Sequence, residues 1–293
     1  MSQQLDTFRG FAQLVGEQAF SRISSASVCV VGLGGVGSWA VEALARCGVG
    51  ALTLVDLDEV CVTNVNRQVQ ATTRSVGRPK ADALAERVLE IHPACRVTAV
   101  RRFFSRATAE DILSAGADLV IDAIDRVENK ALLIAECVAR NLPLITTGSA
   151  GDRLDPSALT VSDLARTIHD PLLQIVRKDL RQQYRFPAGE RRRFGIPCVY
   201  APKQRNDAKA SCASGSGRRS CNDGLGSAVF VTGAAGFLVA AEATRVLSAE
   251  RPANLYPWRT KRDLSGEAGA ALVALATSVD TSRTATQNSP QPE

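Results

Sequence analysis

Glycine spacing near the N-terminus constrains this chain more than any other feature. Ser27–Val31 is a short run with three valines among its five residues, the composition of a buried strand. It breaks at once into Gly32-Leu-Gly34-Gly35-Val-Gly37, a G-x-G-x-x-G turn, and then into an apolar stretch with helical spacing. Glycines let a backbone turn sharply and approach a phosphate closely, and the helix that follows aims free N–H groups at it. The motif predicts a nucleotide site. By itself it leaves open whether the ligand is a redox dinucleotide or ATP.

The rest of the first half has the same grammar. Strands are expected at Ala51–Asp56, Arg96–Arg101, Leu119–Asp122 and Pro143–Thr147. Helices are expected over 11–24, 35–47, from Pro79 to Ile91, over Thr108–Ala115 and over 128–140. Short apolar strands alternating with helices predict an α/β, Rossmann-like, doubly wound and mostly parallel sheet. We read 1–150 as a nucleotide-binding core and 151–278 as an extension of the same domain that binds substrate and contributes to a dimer. The polar, proline-containing residues 279–293 read as a disordered tail.

The extension carries two features of its own. Residues 203–220, rich in Ser, Lys, Arg and Gly, read as a mobile basic loop. Leu225–Ala241 is apolar but bounded by Asp223 and Glu242. It falls short of the ~20 residues a membrane span needs, so a buried packing helix is the better reading. Between Arg177 and Arg219 lie twelve basic and three acidic residues. That is a local charge of +9 in a chain of net +5, which leaves the remainder at −4. Such asymmetry suggests an anionic partner. Aromatics are only 5% of the chain, which argues against a stacking platform for single-stranded nucleic acid. Met1–Arg22 has no sustained apolar core, and eight cysteines without a signal peptide suggest reduced thiols in the cytoplasm. None forms C-x-x-C, so no cysteine zinc site is expected.

Individual residues then favour ATP. Asp56 stands about 20 residues past the last glycine, where an acid accepts hydrogen bonds from ribose hydroxyls. Asp58, Asn64, Arg67 and Gln68 follow closely, and Lys80 opens a helix. A redox cofactor has little use for an arginine and a lysine converging on a third phosphate, whereas ATP does. A lysine at a helix N-terminus opposes the macrodipole and calls for a nearby anion. Asp122 and Asp125 end a strand at the edge where parallel sheets bind ligands, with Asp125 the better placed to hold Mg²⁺.

Taken together, Gly32–Gly37, Asp56–Asp58, Asn64-x-Asn-Arg-Gln68, Lys80 and Asp122-x-x-Asp125 resemble the adenylating enzymes related to ubiquitin-activating enzymes. That family includes the molybdopterin- and thiamine-synthesis activators. The resemblance implies attack of a carboxylate on the α-phosphate of ATP. It assigns Gly32, Gly34, Gly35, Gly37, Asp56, Asp58, Asn64, Arg67, Gln68, Lys80, Asp122 and Asp125 to ATP. Arg67, Lys80 and Asp125 would be catalytic, and Asp125 would hold Mg²⁺. Relatives also use an arginine from the partner of a homodimer. Here Thr7-Phe-Arg-Gly departs from the usual pattern, leaving Arg9 for that role in trans.

The second half narrows the resemblance. Thr146–Gly151, Asp155-Pro, Asp163–Pro171, Cys198-Val and Cys221 look like the branch that cyclises threonylcarbamoyladenosine in tRNA. That implies activation of the threonyl carboxylate, with Arg191, Arg192, Arg193, Lys203 and Arg205 meeting tRNA phosphates and no zinc. Cys221, after two arginines, is a candidate nucleophile. Cyclisation does not require it, because the carbamoyl group can attack its own activated carboxyl. The alternative is an activator of a ubiquitin-like or sulfur-carrier protein, and a sulfur-acceptor-type protein is a further candidate partner.

Overall fold

The computed structural model describes residues 2–189, 192–203, 226–250 and 252–259. Its centre is a seven-stranded sheet in the order β3-β2-β1-β4-β5-β7-β6. The strands are β1 (Ser27–Val31), β2 (Ala51–Val55), β3 (Arg96–Val100), β4 (Leu119–Asp122), β5 (Leu144–Thr147), β6 (Thr160–Asp163) and β7 (Pro197–Tyr200). All neighbours pair in parallel except β6, which runs antiparallel to β7 at the edge. The helices are α1 (Ser2–Val15), α2 (Glu17–Ser25), α3 (Gly35–Arg46), α4 (Lys80–Ile91), α5 (Ala109–Leu113), α6 (Val127–Ala139), α7 (Pro171–Gln183) and α8 (Val229–Ser248).

Alternation along each strand divides the core in two. Val28 and Val30, with Leu52, Leu54, Leu119 and Ile121, pack under α3, α4 and α8. Cys29 and Val31, with Val55 and Val120, face α6 and α7. Successive strand residues point to opposite faces, so a sheet covered on both sides needs apolar residues at every position. β1 and β4 meet that demand except at their ends, Ser27 and the buried Asp122, while the edge strand β3 leaves three of its five residues exposed.

The five first-half strands lie where the sequence places them, as do α3, α4 and α6. Three expectations need correction. The helix expected over 11–24 is two helices that break at Gly16, whose φ is +88°. The helix expected over Thr108–Ala115 is the single turn α5. The apolar helix expected over Leu225–Ala241 begins at Val229 and runs on to Ser248. The second half also contributes β6, α7 and β7, and both strands join the same sheet rather than a separate one. The mobile-loop reading falls, apart from Lys203, outside the described residues, as does the tail 279–293.

α8 is long and apolar enough to cross a membrane. It is nevertheless packed against the sheet and α3, with Val231, Ala235, Val239, Ala240 and Ala243 buried. The crossing with α3 is close at Gly236, where a Cβ would stand 2.5 Å from Trp39 Cβ and 2.7 Å from the Val36 carbonyl oxygen. A side chain at that position would separate the helices.

Candidate active site

The carboxyl ends of β1, β2, β4 and β5 converge on one crevice, carrying Gly32, Asp56, Asp122 and Gly148. In open α/β sheets ligands bind at such an edge, where the strand order reverses, here between β1 and β4. The β1–α3 turn is shaped by its glycines. Gly32 has φ +92°, and a Cβ there would sit 2.7 Å from the Ala123 carbonyl oxygen. A Cβ on Gly37 would fall 1.9 Å from the Gly32 carbonyl oxygen. A Cβ on Gly34 would meet nothing, so this stretch of turn is open above.

Asp56 ties that turn to the next strand. Its Oδ2 accepts from the Leu33 N–H at 2.7 Å and its Oδ1 from the Asp58 N–H at 2.8 Å. Burial pushes the Asp56 carboxyl above the usual carboxylate range, against the pull of Lys80 and of these two N–H groups. From Asp58 the connection runs to Lys80. The Lys80 N–H donates to the Asp58 carbonyl at 2.9 Å, and Lys80 Nζ lies 2.8 Å from Asp58 Oδ2. The Lys80 side chain is 9% exposed and that of Asp58 53%. The anion that a lysine at a helix N-terminus calls for is therefore this carboxylate, which is open to solvent. Glycine turn, Asp56, Asp58 and Lys80 form one continuous hydrogen-bonded path.

The segment 61–70 closes the turn from the other side. Asn64 is buried, and its Oδ1 accepts from the Cys61 N–H at 3.0 Å, capping a short 3-10 turn. Arg67 is half-buried and donates to the Thr63 carbonyl at 2.8 Å and to Asn66 Oδ1 at 2.9 Å. Gln68 is buried. Its Oε1 accepts from Gln70 Nε2, which also donates to the Leu33 carbonyl in the turn. Asn64 and Gln68 thus shape the loop through their side chains, while Arg67 remains within reach of solvent.

Asp122 and Asp125, three residues apart, are used differently. The Asp122 carboxylate is fully buried. Oδ2 pairs with Lys130 Nζ at 2.8 Å and accepts from Thr146 Oγ1 at 2.6 Å, and Oδ1 accepts from the Ile124 N–H at 3.1 Å. With three donors inside the protein, it holds the β4–α6 turn together rather than facing the crevice, which departs from the expectation that it meets ATP. Asp125 is exposed on that turn, two residues from the Ala123 carbonyl that abuts Gly32.

Other expected residues are more scattered. Arg9 is exposed on α1, beside Phe8, which is buried against Phe20 and His92. Arg192 and Arg193 are exposed near β7, and Lys203 Nζ lies 3.7 Å from Asp152 Oδ2. Arg191, Arg205 and Cys221 lie outside the described residues. Cys198 is fully buried, and burial pushes its thiol far above the usual thiol range.

Sequence reasoning missed four supports of the site. Trp39 Nε1 donates to the Arg67 carbonyl at 3.0 Å, and Thr232 Oγ1 lies 3.4 Å from the same oxygen. Asn66 Nδ2 donates to the Ser227 carbonyl at 3.1 Å, joining the arginine loop to the start of α8. The fourth is Lys130, buried without exposure in the first turn of α6. A lysine within an otherwise apolar helical face was its visible signal.

Among known proteins, the ThiF family matches residues 8–268. The tRNA threonylcarbamoyladenosine dehydratase of Escherichia coli is 43% identical over 251 residues, covering 83% of this chain and 94% of that protein. The crystal structure of the E. coli enzyme in complex with ATP superimposes with a TM-score of 0.73 at 42% identity, over 83% of this chain and 94% of that one. The sulfur carrier protein ThiS adenylyltransferase of E. coli is 35% identical over 130 residues, but covers only 44% of this chain and 51% of that protein. With the family model matched over most of its length and a relative 43% identical along 94% of that protein, the chain belongs to the ThiF family.

Proposed function

We propose that this protein is an ATP-dependent dehydratase that adenylates the threonyl carboxylate of threonylcarbamoyladenosine in tRNA and so drives its cyclisation. The observation that carries the reading is the unbroken path from the glycine turn through Asp56 and Asp58 to Lys80. It supports a site built for a triphosphate rather than for a redox dinucleotide. The similarity to the E. coli dehydratase spans both halves of the chain, whereas that to the ThiS adenylyltransferase covers less than half, which favours the tRNA substrate.

The residues divide the work as follows. N–H groups of the glycine turn and of the start of α3 receive phosphate oxygens. Asp56 faces the ribose, and Arg67 and Lys80 neutralise charge that builds on the phosphates during transfer. A threonyl carboxylate oxygen attacks the α-phosphorus and pyrophosphate leaves. The carbamoyl group then attacks the activated carbonyl carbon, AMP departs with the carboxylate oxygen, and one proton is released. The substrate thereby loses the elements of water.

Asp125 fits Mg²⁺, which binds one or two carboxylates together with phosphates and water. Among the described residues no group of three or more His, Cys, Asp or Glu side chains is placed to hold a metal ion. When bound, the ion supplies charge neutralisation at the phosphates. Residues 1–150 hold the nucleotide and 151–278 receive the tRNA, with Arg191, Arg192, Arg193, Lys203 and Arg205 on its backbone. Arg9 serves the partner's site in a cytoplasmic homodimer.

The test is to supply ATP and Mg²⁺ with either tRNA bearing the threonylcarbamoyl group or a small carrier protein, and to follow AMP. AMP formed with the tRNA, and a modified nucleoside lighter by one water, supports the reading. AMP formed only with a carrier points to a sulfur-carrier activator. AMP with neither points to a nucleotide-binding adaptor.

A further inference from the structure

The β4–α6 connection, Ala123–Arg126, is tied at both ends by one buried ion pair. Lys130 lies in the first turn of α6, its N–H donating to the Arg126 carbonyl at 3.0 Å. Its side chain runs back to the end of β4, where Nζ meets Asp122 Oδ2 at 2.8 Å and approaches the Asp122 carbonyl at 3.5 Å. Both side chains are 0% exposed. The remaining lone pairs of Asp122 are taken from β5 and from within the turn. Thr146 Oγ1 donates to Oδ2 at 2.6 Å, Thr147 Oγ1 to the carbonyl at 3.2 Å, and the Ile124 N–H to Oδ1 at 3.1 Å.

We propose that Lys130 is a positioning residue for Asp125: its buried pair with Asp122 fixes the turn that presents the Asp125 carboxylate to the metal–phosphate end of the site. This rests on the assignment of Asp125 made above. The turn has little room to move. Its Ala123 carbonyl lies 2.7 Å from where a Gly32 Cβ would be, and the Ala123 N–H donates to the Val31 carbonyl at 2.9 Å, so displacement on that side meets the glycine turn. On the other side the Lys130–Asp122 pair, the Ile124 N–H to Asp122 Oδ1 bond and the first helical bond of α6 hold it, with the Arg126 guanidinium 5.7 Å from the centre of the Phe103 ring. A bare lysine in an apolar core is costly, and this one is used to close a four-residue connection ending beside the phosphate cradle. Partners that orient a metal-binding side chain typically change metal affinity or activity by about ten- to a hundredfold when removed.

The experiment uses four full-length variants: Lys130→Met, Lys130→Arg, Asp125→Asn, and the double variant Asp122→Asn with Lys130→Met. The double variant leaves no buried charge unpaired and keeps an acceptor for Ile124, so it remains informative if Lys130→Met alone fails to fold. Two quantities are read. One is hydrogen exchange of peptides covering 119–130 in the protein without nucleotide. The other is the Mg²⁺ concentration giving half-maximal AMP formation. The expected result is faster exchange confined to 119–130 in the double variant and a half-saturating Mg²⁺ concentration raised about tenfold or more, with Lys130→Arg closer to the wild type on both. Unchanged exchange and unchanged Mg²⁺ dependence in the double variant, with Asp125→Asn inactive, would overturn the role of Lys130 alone. Full turnover by Asp125→Asn would instead overturn the assignment on which it rests.

Discussion

Two acidic turns flank the glycine turn of β1 at the carboxyl edge of the sheet, and each is served by a lysine from the start of the following helix. After β2, Asp56-Leu-Asp58 meets Lys80 of α4. After β4, Asp122-Ala-Ile-Asp125 meets Lys130 of α6. Composition and spacing make them look equivalent. Burial separates them. The Asp58–Lys80 pair has a carboxylate half open to water, whereas the Asp122–Lys130 pair is sealed. An open pair can exchange its carboxylate for a phosphate. A sealed pair cannot reach a ligand and instead fixes backbone. On the function proposed above, the same two residue types give a binding group in one turn and a brace in the other, and the functional carboxylate of the second turn is displaced three residues on, to the exposed Asp125.

The contrast can be broken most severely at Lys130. Lys130→Met strands a buried carboxylate and is expected to lower stability by about 3–5 kcal/mol, read as a fall in the midpoint of chemical denaturation. Lys80→Met should do the opposite. Its partner is exposed, so stability should change by about 1 kcal/mol or less. AMP formation should nevertheless fall by about 10²–10³-fold, the effect of removing one group that stabilises charge in the transition state. A protein that lost stability at Lys80 and only activity at Lys130 would invert the account.

Gly236→Ala tests whether the second half supports the first. It forces α8 from Trp39 and should lower stability by about 1–3 kcal/mol. Because Trp39 and Thr232 together hold the Arg67 carbonyl, the KM for ATP should rise as well. The smallest effect is expected at Cys29. Burial pushes its thiol up to about 12, so it stays protonated and shielded at about pH 8. Iodoacetamide should leave it unmodified in the folded protein and label it after denaturation.

Much of the fold was legible because the local signals were strong. The glycine turn, the valine-rich β1 and the acid-ended β2 and β4 announced the parallel half. What escaped was either short or non-local. β7 is four residues opening at Pro197, and only its pairing with β5, some fifty residues earlier, and with the edge strand β6 makes it a strand. α7 did leave a mark, since Asp170 caps it from the side chain and Pro171 occupies its first position. At the site, sequence could name Asp122, Asp125 and Lys80 but not their burial. Asp122 is withdrawn from the crevice by Lys130 and Thr146, contacts set by packing of α6 and β5 against β4, which no spacing rule encodes.

The central claim is that this scaffold activates a carboxylate by transferring AMP to it. It is tested most directly by labelling the threonyl carboxylate of the tRNA nucleoside with heavy oxygen and weighing the AMP released during cyclisation. AMP that carries one heavy oxygen is the predicted result, because that oxygen bridges carbon and phosphorus in the acyl adenylate and leaves with the phosphate. Unlabelled AMP accompanying the cyclised product would contradict it.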